Sequence, residues 1–275
     1  MIHFFTGKGG VGKTTLCIQK AHVLANENKK VLLVDLDPHG SLKNAFQIKK
    51  LGFKPKKLAP NIDGCLLTPK EALKEYAIQQ IKLETLYNLF LDNQMIHFFL
   101  EAAPGVSEVA LMGKIFYLEQ EKKWDDLIID TPATGHGLYL FQAPKVFLDI
   151  AQTGPIAKRS KDLFEMLGKK ERSQIHVVCI PEELPVEETI ELVQKIATLK
   201  LPLGDVIMNK VLPHLETLKS TELSPALKQL KTSPKIEMAL LKYKKRIELQ
   251  KKYIQKLETK LSLKTQKIEH HETSA

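Results

Sequence analysis

The chain has few cysteines and no long apolar run. Its 275 residues contain three cysteines, Cys17, Cys65 and Cys179, which are scattered and form no C-x-x-C pair. This usage is typical of a reducing compartment and argues against a structural zinc site. No apolar run reaches the roughly 18 residues of a membrane span. Since the N-terminus leads directly into an apolar segment, we expect no signal peptide and a cytoplasmic protein.

Acidic residues are scarce in one stretch near the C-terminus. Residues 242–267 contain nine lysines and one arginine against two glutamates, so this stretch carries +8 of the formal net charge of +9. The basicity therefore belongs to one C-terminal segment and not to the body of the protein.

Residues 7–15 read G-K-G-G-V-G-K-T-T, which fits the P-loop pattern G-x-x-x-x-G-K-[ST]. An apolar strand-like segment, Met1–Phe5, precedes it, and a helical pattern over Leu16–Asn28 follows it. A phosphate-binding loop is expected in this context. Its residues are the predicted nucleotide ligands: Gly7, Lys8, Gly9, Gly10, Val11, Gly12, Lys13, Thr14 and Thr15.

The residue types in this loop suit a bound triphosphate. Glycines let backbone N–H groups converge on phosphate oxygens, and the following helix points its positive end at them. Lys13 is expected to reach the β- and γ-phosphates of ATP, and the Thr14 hydroxyl is expected to bind Mg²⁺.

Apolar, β-rich runs alternate with helical stretches along the chain. This alternation predicts an α/β fold with a mostly parallel sheet covered by helices on both faces. The predicted strands are Ile2–Thr6, Val31–Asp35, Met95–Glu101, Leu127–Asp130, Ile175–Pro181 and Val206–Val211.

Aspartates end two of these strands, at the sheet edge where parallel sheets bind ligands. Asp37 could orient and polarise the attacking water, while Asp35 is expected to support the site. The alternative for Asp37 is a strand-end carboxylate that feeds the turn at Pro38. Asp130 fits a Walker B role, holding Mg²⁺ through water.

The sequence predicts one main domain with helical additions, followed by a linker, a C-terminal helix and a tail. Residues 1–213 are the predicted P-loop domain, with helical additions at about 69–123 and 138–168. Residues 214–233 are a predicted linker, 234–269 a basic amphipathic helix, and 270–275 a disordered tail. The helix prediction rests on apolar residues spaced by seven: Leu240, Ile247, Ile254, Leu261 and Ile268.

Three further motifs carry a family resemblance. The loop with its extra lysine, Lys8, resembles the deviant Walker A of the ParA/MinD/ArsA superclass. Residues 37–42, D-P-H-G-S-L, and 130–136, D-T-P-A-T-G-H, resemble switches I and II of the ArsA and guided-entry (tail-anchored protein targeting) ATPases. Residues 180–189 and 206–210 are also similar to bacterial members, so the resemblance covers residues 1–213.

The resemblance implies roles for three more residues. Lys8 would cross the interface of an ATP-bound homodimer to the partner's phosphates, and Glu182 would approach nucleotide from the far side of that dimer. Asn209 would contact adenine. The alternatives are a solvated loop lysine for Lys8 and a surface carboxylate for Glu182. Apart from the resemblance, two glycines flank His136 in a loop that could sense the γ-phosphate, and the alternative is a surface residue at a helix start.

Three functions remain open within this resemblance. The first is a dimeric Mg²⁺-dependent ATPase that couples closure to a hydrophobic client or membrane partner. The second is the soluble subunit of an arsenite pump, disfavoured because metalloids need clustered thiolates. The third is a ParA/MinD-like positioning ATPase. The basic helix could also contact anionic membrane, and nucleic acid is the less favoured partner.

Overall fold

A computed structural model describes residues 1–37, 40–81, 105–150, 154–213 and 234–269. Its strands are β1 Ile2–Thr6, β2 Val31–Asp35, β3 Lys56–Ala59, β4 Ile62–Leu66, β5 Asp126–Asp130, β6 Ser173–Cys179, β7 Leu203–Val211 and β8 Gln266–Glu269. Its helices are α1 Lys13–Asn26, α2 Ser41–Ala45, α3 Pro69–Ile81, α4 Val106–Gln120, α5 Thr134–Ile150, α6 Gly154–Gly168, α7 Glu183–Thr198 and α8 Pro234–Leu261.

The described strands form one open sheet in the order β3-β4-β2-β5-β1-β6-β7-β8. Every pairing is parallel except that of β3 with β4. The predicted α/β fold class is therefore confirmed. The carboxyl ends of β1, β2, β5, β6 and β7 meet at one edge, which gathers the predicted site residues there.

Burial on both faces explains why the central strands are continuously apolar. Successive side chains of a strand point to opposite faces, so Phe4 and Phe5 enter different core clusters. One cluster lies under α4 to α8 and the other under α1. The predicted strands at 2–6 and 31–35 match the structure, and those at 127–130, 175–181 and 206–211 match with shifted ends.

The hairpin of β3 and β4 has no counterpart among the predicted strands. Lys56 and Lys57 are exposed on β3, which is an edge strand and shows no apolar run. Cys65 lies on β4 and is fully buried. The predicted strand Met95–Glu101 lies outside the described residues.

Helices occupy both predicted additions. In the first, α3 and α4 pack together, and the residues between them lie outside the described part of the chain. The second contains two helices, α5 and α6. Pro144 lies inside α5.

The helix predicted over 234–269 is too long, because α8 ends at Leu261. Ser262 adopts a left-handed φ of 51°, and the N–H of Leu263 donates to the Glu258 carbonyl at 3.2 Å. The Glu258 carboxylate then accepts from the Thr265 N–H and hydroxyl at 3.1 and 2.7 Å. These bonds turn the chain into β8, so Ile268 lies on a strand.

β8 pairs in parallel with β7 and completes the sheet edge beyond Asn209. The predicted linker at 214–233 and tail at 270–275 lie outside the described residues. No helix in the described part of the chain is long and apolar enough to cross a membrane.

Candidate functional site

The P-loop connects β1 to α1 and depends on its glycines. Gly7, Gly10 and Gly12 have φ values of 146°, 79° and 95°, a region that disfavours side chains. A Cβ on Gly7 would lie 2.1 Å from the Val178 carbonyl oxygen, and one on Gly12 would lie 2.5 Å from Nδ2 of Asn209. The loop therefore packs tightly on β6 and β7 and turns its backbone into a cradle.

Lys13 lies across this cradle. Its Nζ donates to the carbonyl oxygens of Gly7 and Lys8, both at 3.2 Å. Burial lowers the pKa of Lys13, while the negative charges of Asp130 and Asp37 oppose that shift. The ammonium group is thus held inside the loop, where phosphate oxygens could replace the two carbonyls as acceptors.

Thr14 and Asp130 lie together beside Lys13. The Thr14 hydroxyl donates to Oδ2 of Asp130 at 2.5 Å. Burial raises the pKa of Asp130 to about 6, and the Thr14 hydrogen bond partly opposes this. A buried carboxylate with a raised pKa is stabilised by a nearby cation.

These two oxygen ligands fit Mg²⁺, which prefers hard oxygen donors and usually takes few from the protein. Among the described residues, no group of three or more His, Cys, Asp or Glu side chains could enclose a metal ion. The remaining ligands would therefore be phosphate oxygens and water.

Asp35 organises the segment that follows β2. Its Oδ1 accepts from the Asp37 N–H at 2.9 Å, and its Oδ2 accepts from the Leu42 N–H at 3.0 Å. Burial raises the pKa of Asp35 to about 6, although both backbone bonds oppose the shift. Asp35 therefore stabilises the turn that leads from β2 to the start of α2.

Asp37 is half-buried at the same edge. Ser41 donates its hydroxyl to Oδ2 of Asp37 at 3.3 Å. The charge of Asp37 acts on both Lys13 and Asp130, so the three groups share one electrostatic site. Pro38 and His39 lie outside the described residues.

The segment that resembles switch II, residues 130–136, begins at the end of β5 and packs against β1. Thr131 donates its hydroxyl to the Phe5 carbonyl at 2.9 Å. A Cβ on Gly137 would lie 2.9 Å from Oγ1 of Thr6 and 3.1 Å from the Pro132 carbonyl oxygen. Close backbone approach thus explains Gly137, whereas the side chain of His136 lies outside what the structure describes.

Lys8 points away from the cradle within its own chain. Its Nζ donates to Oε1 of Glu188 on α7 at 2.5 Å, and both side chains are about one third exposed. Glu182 occupies the N-cap position of α7 without a side-chain capping hydrogen bond and is exposed. Sequence reasoning missed Glu188 as a partner of Lys8, because no spacing rule links positions 180 residues apart.

Asn209 and Lys210 attach β7 to the P-loop. Asn209 is buried and donates Nδ2 to the Val11 carbonyl at 2.8 Å. Lys210 has a left-handed φ of 54° beside a register shift between β7 and β8, and its Nζ donates to the Gly10 carbonyl at 2.9 Å. Irregular strand geometry of this kind re-aims side chains next to functional sites. Sequence reasoning had singled out residues 206–210 as a motif but had not assigned Lys210.

The structure thus gathers the loop residues 7–15, Asp37, Asp130 and Asn209 at one edge of the sheet. Glu182 lies nearby on the loop after β6, and Lys8 pairs with α7. All three cysteines are buried and free, and they lie on different elements. Burial raises the pKa of Cys65 to about 12 and that of Cys179 to about 11, so neither favours the thiolate.

Comparison with known proteins adds a family. The sequence model described as Anion-transporting ATPase matches residues 1–153 and 148–269. The ATPase BagA of Mycobacterium tuberculosis is 31% identical over 233 residues, which are 78% of this chain and 66% of that protein. This chain therefore spans less than two thirds of the length of that relative.

Two further relatives come from Aquifex aeolicus and Entamoeba dispar. A protein of Aquifex aeolicus, provisionally named arsenical pump-driving ATPase 2, is 32% identical over 249 residues, covering 78% of this chain and 81% of its own. An ATPase ASNA1 homolog of Entamoeba dispar is 27% identical over 249 residues, covering 76% of each chain.

Proposed function

Since this chain belongs to the anion-transporting ATPase family, we propose that it binds Mg²⁺ and ATP in the loop 7–15 and hydrolyses the γ-phosphate. The observation that carries this proposal is the arrangement of Lys13, Thr14 and Asp130 inside one glycine cradle. A cation, a hydroxyl and a carboxylate at this spacing suit a metal-bound triphosphate.

Each group has a separate task in the proposed reaction. Lys13 and the N-terminus of α1 balance the charge that develops on the phosphate oxygens. Thr14 and Asp130 would hold Mg²⁺, which supplies further charge neutralisation at the phosphates. Asp37 orients the attacking water, and Asp35 keeps Asp37 in place through its backbone N–H.

The test of this proposal is Lys13→Ala, with Lys50→Ala as the matched control because Lys50 is an exposed lysine outside the loop 7–15. Removing the positioned cation should abolish ATP turnover and strongly weaken ATP binding, measured by phosphate release and calorimetry. Lys50→Ala should behave as the unchanged protein. Turnover by Lys13→Ala at the unchanged rate would refute the proposed active site.

We further propose an ATP-dependent homodimer in which Lys8 reaches the partner's phosphates and Glu182 faces the partner's nucleotide. Lys13 already occupies the phosphate-binding loop of its own chain. We therefore expect the second loop lysine, Lys8, to bind the phosphates of another chain. The ion pair with Glu188 keeps Lys8 away from the phosphate site of its own chain. On dimer closure, Lys8 would exchange the Glu188 carboxylate for the partner's triphosphate.

For the coupled partner, we favour a hydrophobic client or membrane partner bound through the helical additions. Tyr139 and Val146 on α5 expose large apolar surface, with 60% and 47% of each side chain accessible. An arsenite-pump subunit is the second candidate, suggested by the name of the Aquifex aeolicus relative. The buried, scattered cysteines count against a thiolate metalloid site.

Anionic membrane remains the proposed partner for the basic surface of α8, in a protein that would work in the cytoplasm. Ile247 and Ile254 of its apolar stripe pack against the body, so membrane contact would rest on exposed lysines. Mass spectrometry of what co-purifies with an ATP-trapped Asp37→Asn variant tests the client, and apolar peptides would support it. Phosphate release by the unchanged protein with and without arsenite tests the pump, and stimulated turnover would support it.

A further inference from the structure

The pairing of β6 with β7 contains one extra residue on β7. Ile175 pairs with Leu203 and Val177 pairs with Val206, so two steps along β6 correspond to three steps along β7. This β-bulge lies beside His176, whose side chain is buried. A bulge interrupts the ladder of backbone hydrogen bonds, so the chain must supply another acceptor there.

The imidazole of His176 supplies that acceptor and closes the bulge. The N–H of Asp205 donates to Nδ1 of His176 at 3.1 Å, so a side chain takes the place of a strand carbonyl. Gly204 permits this approach, because a Cβ at that position would lie 2.7 Å from the same nitrogen. Phe5 stacks on the His176 ring, with the two ring centroids 4.8 Å apart. The strand pairing here is therefore built around one histidine ring.

Hydrogen bonds determine which nitrogens of the buried histidine pair carry protons. Since Nδ1 of His176 accepts from a backbone N–H, the proton of the neutral ring lies on Nε2. This Nε2 lies 3.1 Å from Nδ1 of His3, which must accept, so Nε2 of His3 donates to Asp126 at 3.2 Å. Each donor in this chain of contacts, from β7 through β6 and β1 to β5, meets an acceptor while both rings are neutral.

An additional proton conflicts with this arrangement. Protonation of His176 places a hydrogen on Nδ1 opposite the Asp205 N–H, and protonation of His3 places one opposite Nε2 of His176. Burial, and then the charge that His3 can carry, lower the pKa of His176. Lys20 on α1 lowers that pKa further, whereas the Asp205 carboxylate opposes the shift.

Charged groups lie at both ends of the histidine pair. At the β5 end, the Asp126 carboxylate is 3.7 Å from the Met1 ammonium group and 3.7 Å from Nζ of Lys29. At the β7 end, Oδ2 of Asp205 is 3.2 Å from Nδ1 of His176, and the Asp205 side chain is 58% exposed. A protonated Nδ1 thus has a carboxylate within reach as an alternative partner.

We propose that His176 is a proton-sensitive clamp between β6 and β7. In its neutral form it accepts the Asp205 N–H and closes the bulge. In its protonated form it donates to the Asp205 carboxylate and releases the N–H, which opens the bulge. β7 also carries Asn209 to the Val11 carbonyl in the P-loop, so the clamp determines how firmly that strand is held. The clamp lies outside the proposed nucleotide site and does not depend on ATP hydrolysis.

The stability of the full chain between pH 7 and pH 5 tests the clamp. An unfolded histidine, with a pKa of about 6.5, binds a proton in this range, whereas His176 of the folded chain stays neutral. Because the unfolded state then binds more protons, the contribution of His176 to stability is present at pH 7 and is lost as the pH falls. His176→Asn keeps an acceptor near Nδ1 but does not titrate.

Urea unfolding at the two pH values would measure the folded-to-unfolded ratio. From pH 7 to pH 5, this ratio should fall about tenfold more in the unchanged protein than in His176→Asn. Asp35 and Asp130 contribute with the opposite sign in this range, so the difference between the two proteins is compared. His22→Asn, at an exposed position on α1, is the matched control and should follow the unchanged protein. Equal pH dependence of His176→Asn and the unchanged protein would overturn the proposal.

His176→Leu removes the acceptor without adding a charge. At pH 7, the amides of β7 should exchange hydrogen about tenfold faster in His176→Leu than in His176→Asn, because the Asp205 N–H has lost its partner. Equal exchange rates would show that the imidazole does not close the bulge.

Nuclear magnetic resonance of the unchanged protein provides a test without a variant. At pH 7, the proton of His176 should lie on Nε2, and a scalar coupling should cross the hydrogen bond from the Asp205 nitrogen to Nδ1. That coupling should disappear as His176 becomes protonated at low pH. A proton on Nδ1 at pH 7, or a coupling that persists after protonation, would overturn the clamp.

Discussion

Asp35 and Asp37 are two residues apart, and their surroundings separate their roles. Asp35 is fully buried, and both of its oxygens accept backbone N–H groups, so it stabilises the loop geometry. Asp37 is half-buried at the edge where the γ-phosphate would lie. A carboxylate placed there can act mainly on the transition state.

Asp37→Asn should therefore retain ATP affinity and lose turnover by about a hundredfold or more, which is typical of a group that acts in the transition state. Binding would be measured by calorimetry and turnover by phosphate release. Asp149→Asn, at an exposed position on α5, is the control and should change neither. Equal losses in binding and turnover would make Asp37 structural.

Asp130 makes stability depend on pH. Burial raises its pKa from 3.8 to about 6, so between these values the folded chain holds a proton that the unfolded chain has released. The contribution of Asp130 to the free energy of unfolding therefore falls as pH rises from about 4 to 6, by on the order of 2 kcal/mol. Above pH 6 the ionised group remains a cost unless Mg²⁺ binds.

Asp130→Asn should accordingly raise the melting temperature at pH 7 without nucleotide and flatten the pH dependence of stability between pH 4 and 6. Asn keeps an oxygen that can accept from Thr14. Thermal unfolding across that pH range, beside Asp149→Asn, measures the effect. A lower melting temperature at pH 7 would contradict a net desolvation cost at this site.

At the scale of elements, α8 belongs to the body of the protein although its composition favours a free basic helix. Its inward face carries Ile247, Gln250, Ile254 and Leu257, all buried. It also ion-pairs with α7 through Lys256 and Glu187. Since β8 follows and extends the sheet beside β7, α8 works as a covering helix.

Leu257→Ala should lower the free energy of unfolding by about 2–5 kcal/mol, because it removes a fully buried side chain and leaves a cavity. Leu241→Ala, on the exposed face, should change it by less than about 0.5 kcal/mol. Urea unfolding measures both. Similar small effects would show that α8 does not pack on the sheet as described.

At the scale of the whole molecule, the parallel sheet delivers the P-loop, both switch segments and the β7 end to one edge. That edge also bears Lys8, whose ammonium group is directed away from its own cradle and pairs with Glu188. The proposed homodimer would bring two such edges together. Its stability would then depend on nucleotide, which supplies the phosphates for Lys8.

With Mg²⁺ and ATP, sedimentation of an Asp37→Asn background should show a dimer that Lys8→Ala weakens at least tenfold, since a buried charge contact is lost. Lys50→Ala is the control. Glu188→Gln should favour the dimer at low ATP, because it frees Lys8 from a competing carboxylate. A chain that stays monomeric under every nucleotide condition would contradict the role of Lys8 across an interface.

Local sequence determined the central strands and the phosphate loop. Continuous apolar runs such as that in Val31–Asp35 are typical of strands buried on both faces. Four glycines within residues 7–12 are typical of a tight phosphate-binding loop. Asp130 could be placed because it ends such a strand, whereas Asn209, inside the last of them, was assigned through the family resemblance. The family resemblance of the switches added the order of the remaining parts.

Tertiary structure decided what depends on distant partners. The polar edge strand β3 exists because β4 pairs with it, and β8 exists because β7 offers a free edge. The seven-residue spacing that reaches Ile268 crosses a helix end which the Glu258 contacts with Thr265 create. Likewise, Lys8 meets Glu188, and Lys210 meets Gly10, across 180 and 200 residues. Sequence periodicity depends only on residues that are close along the chain. Contacts between residues far apart in sequence therefore leave no periodic signal.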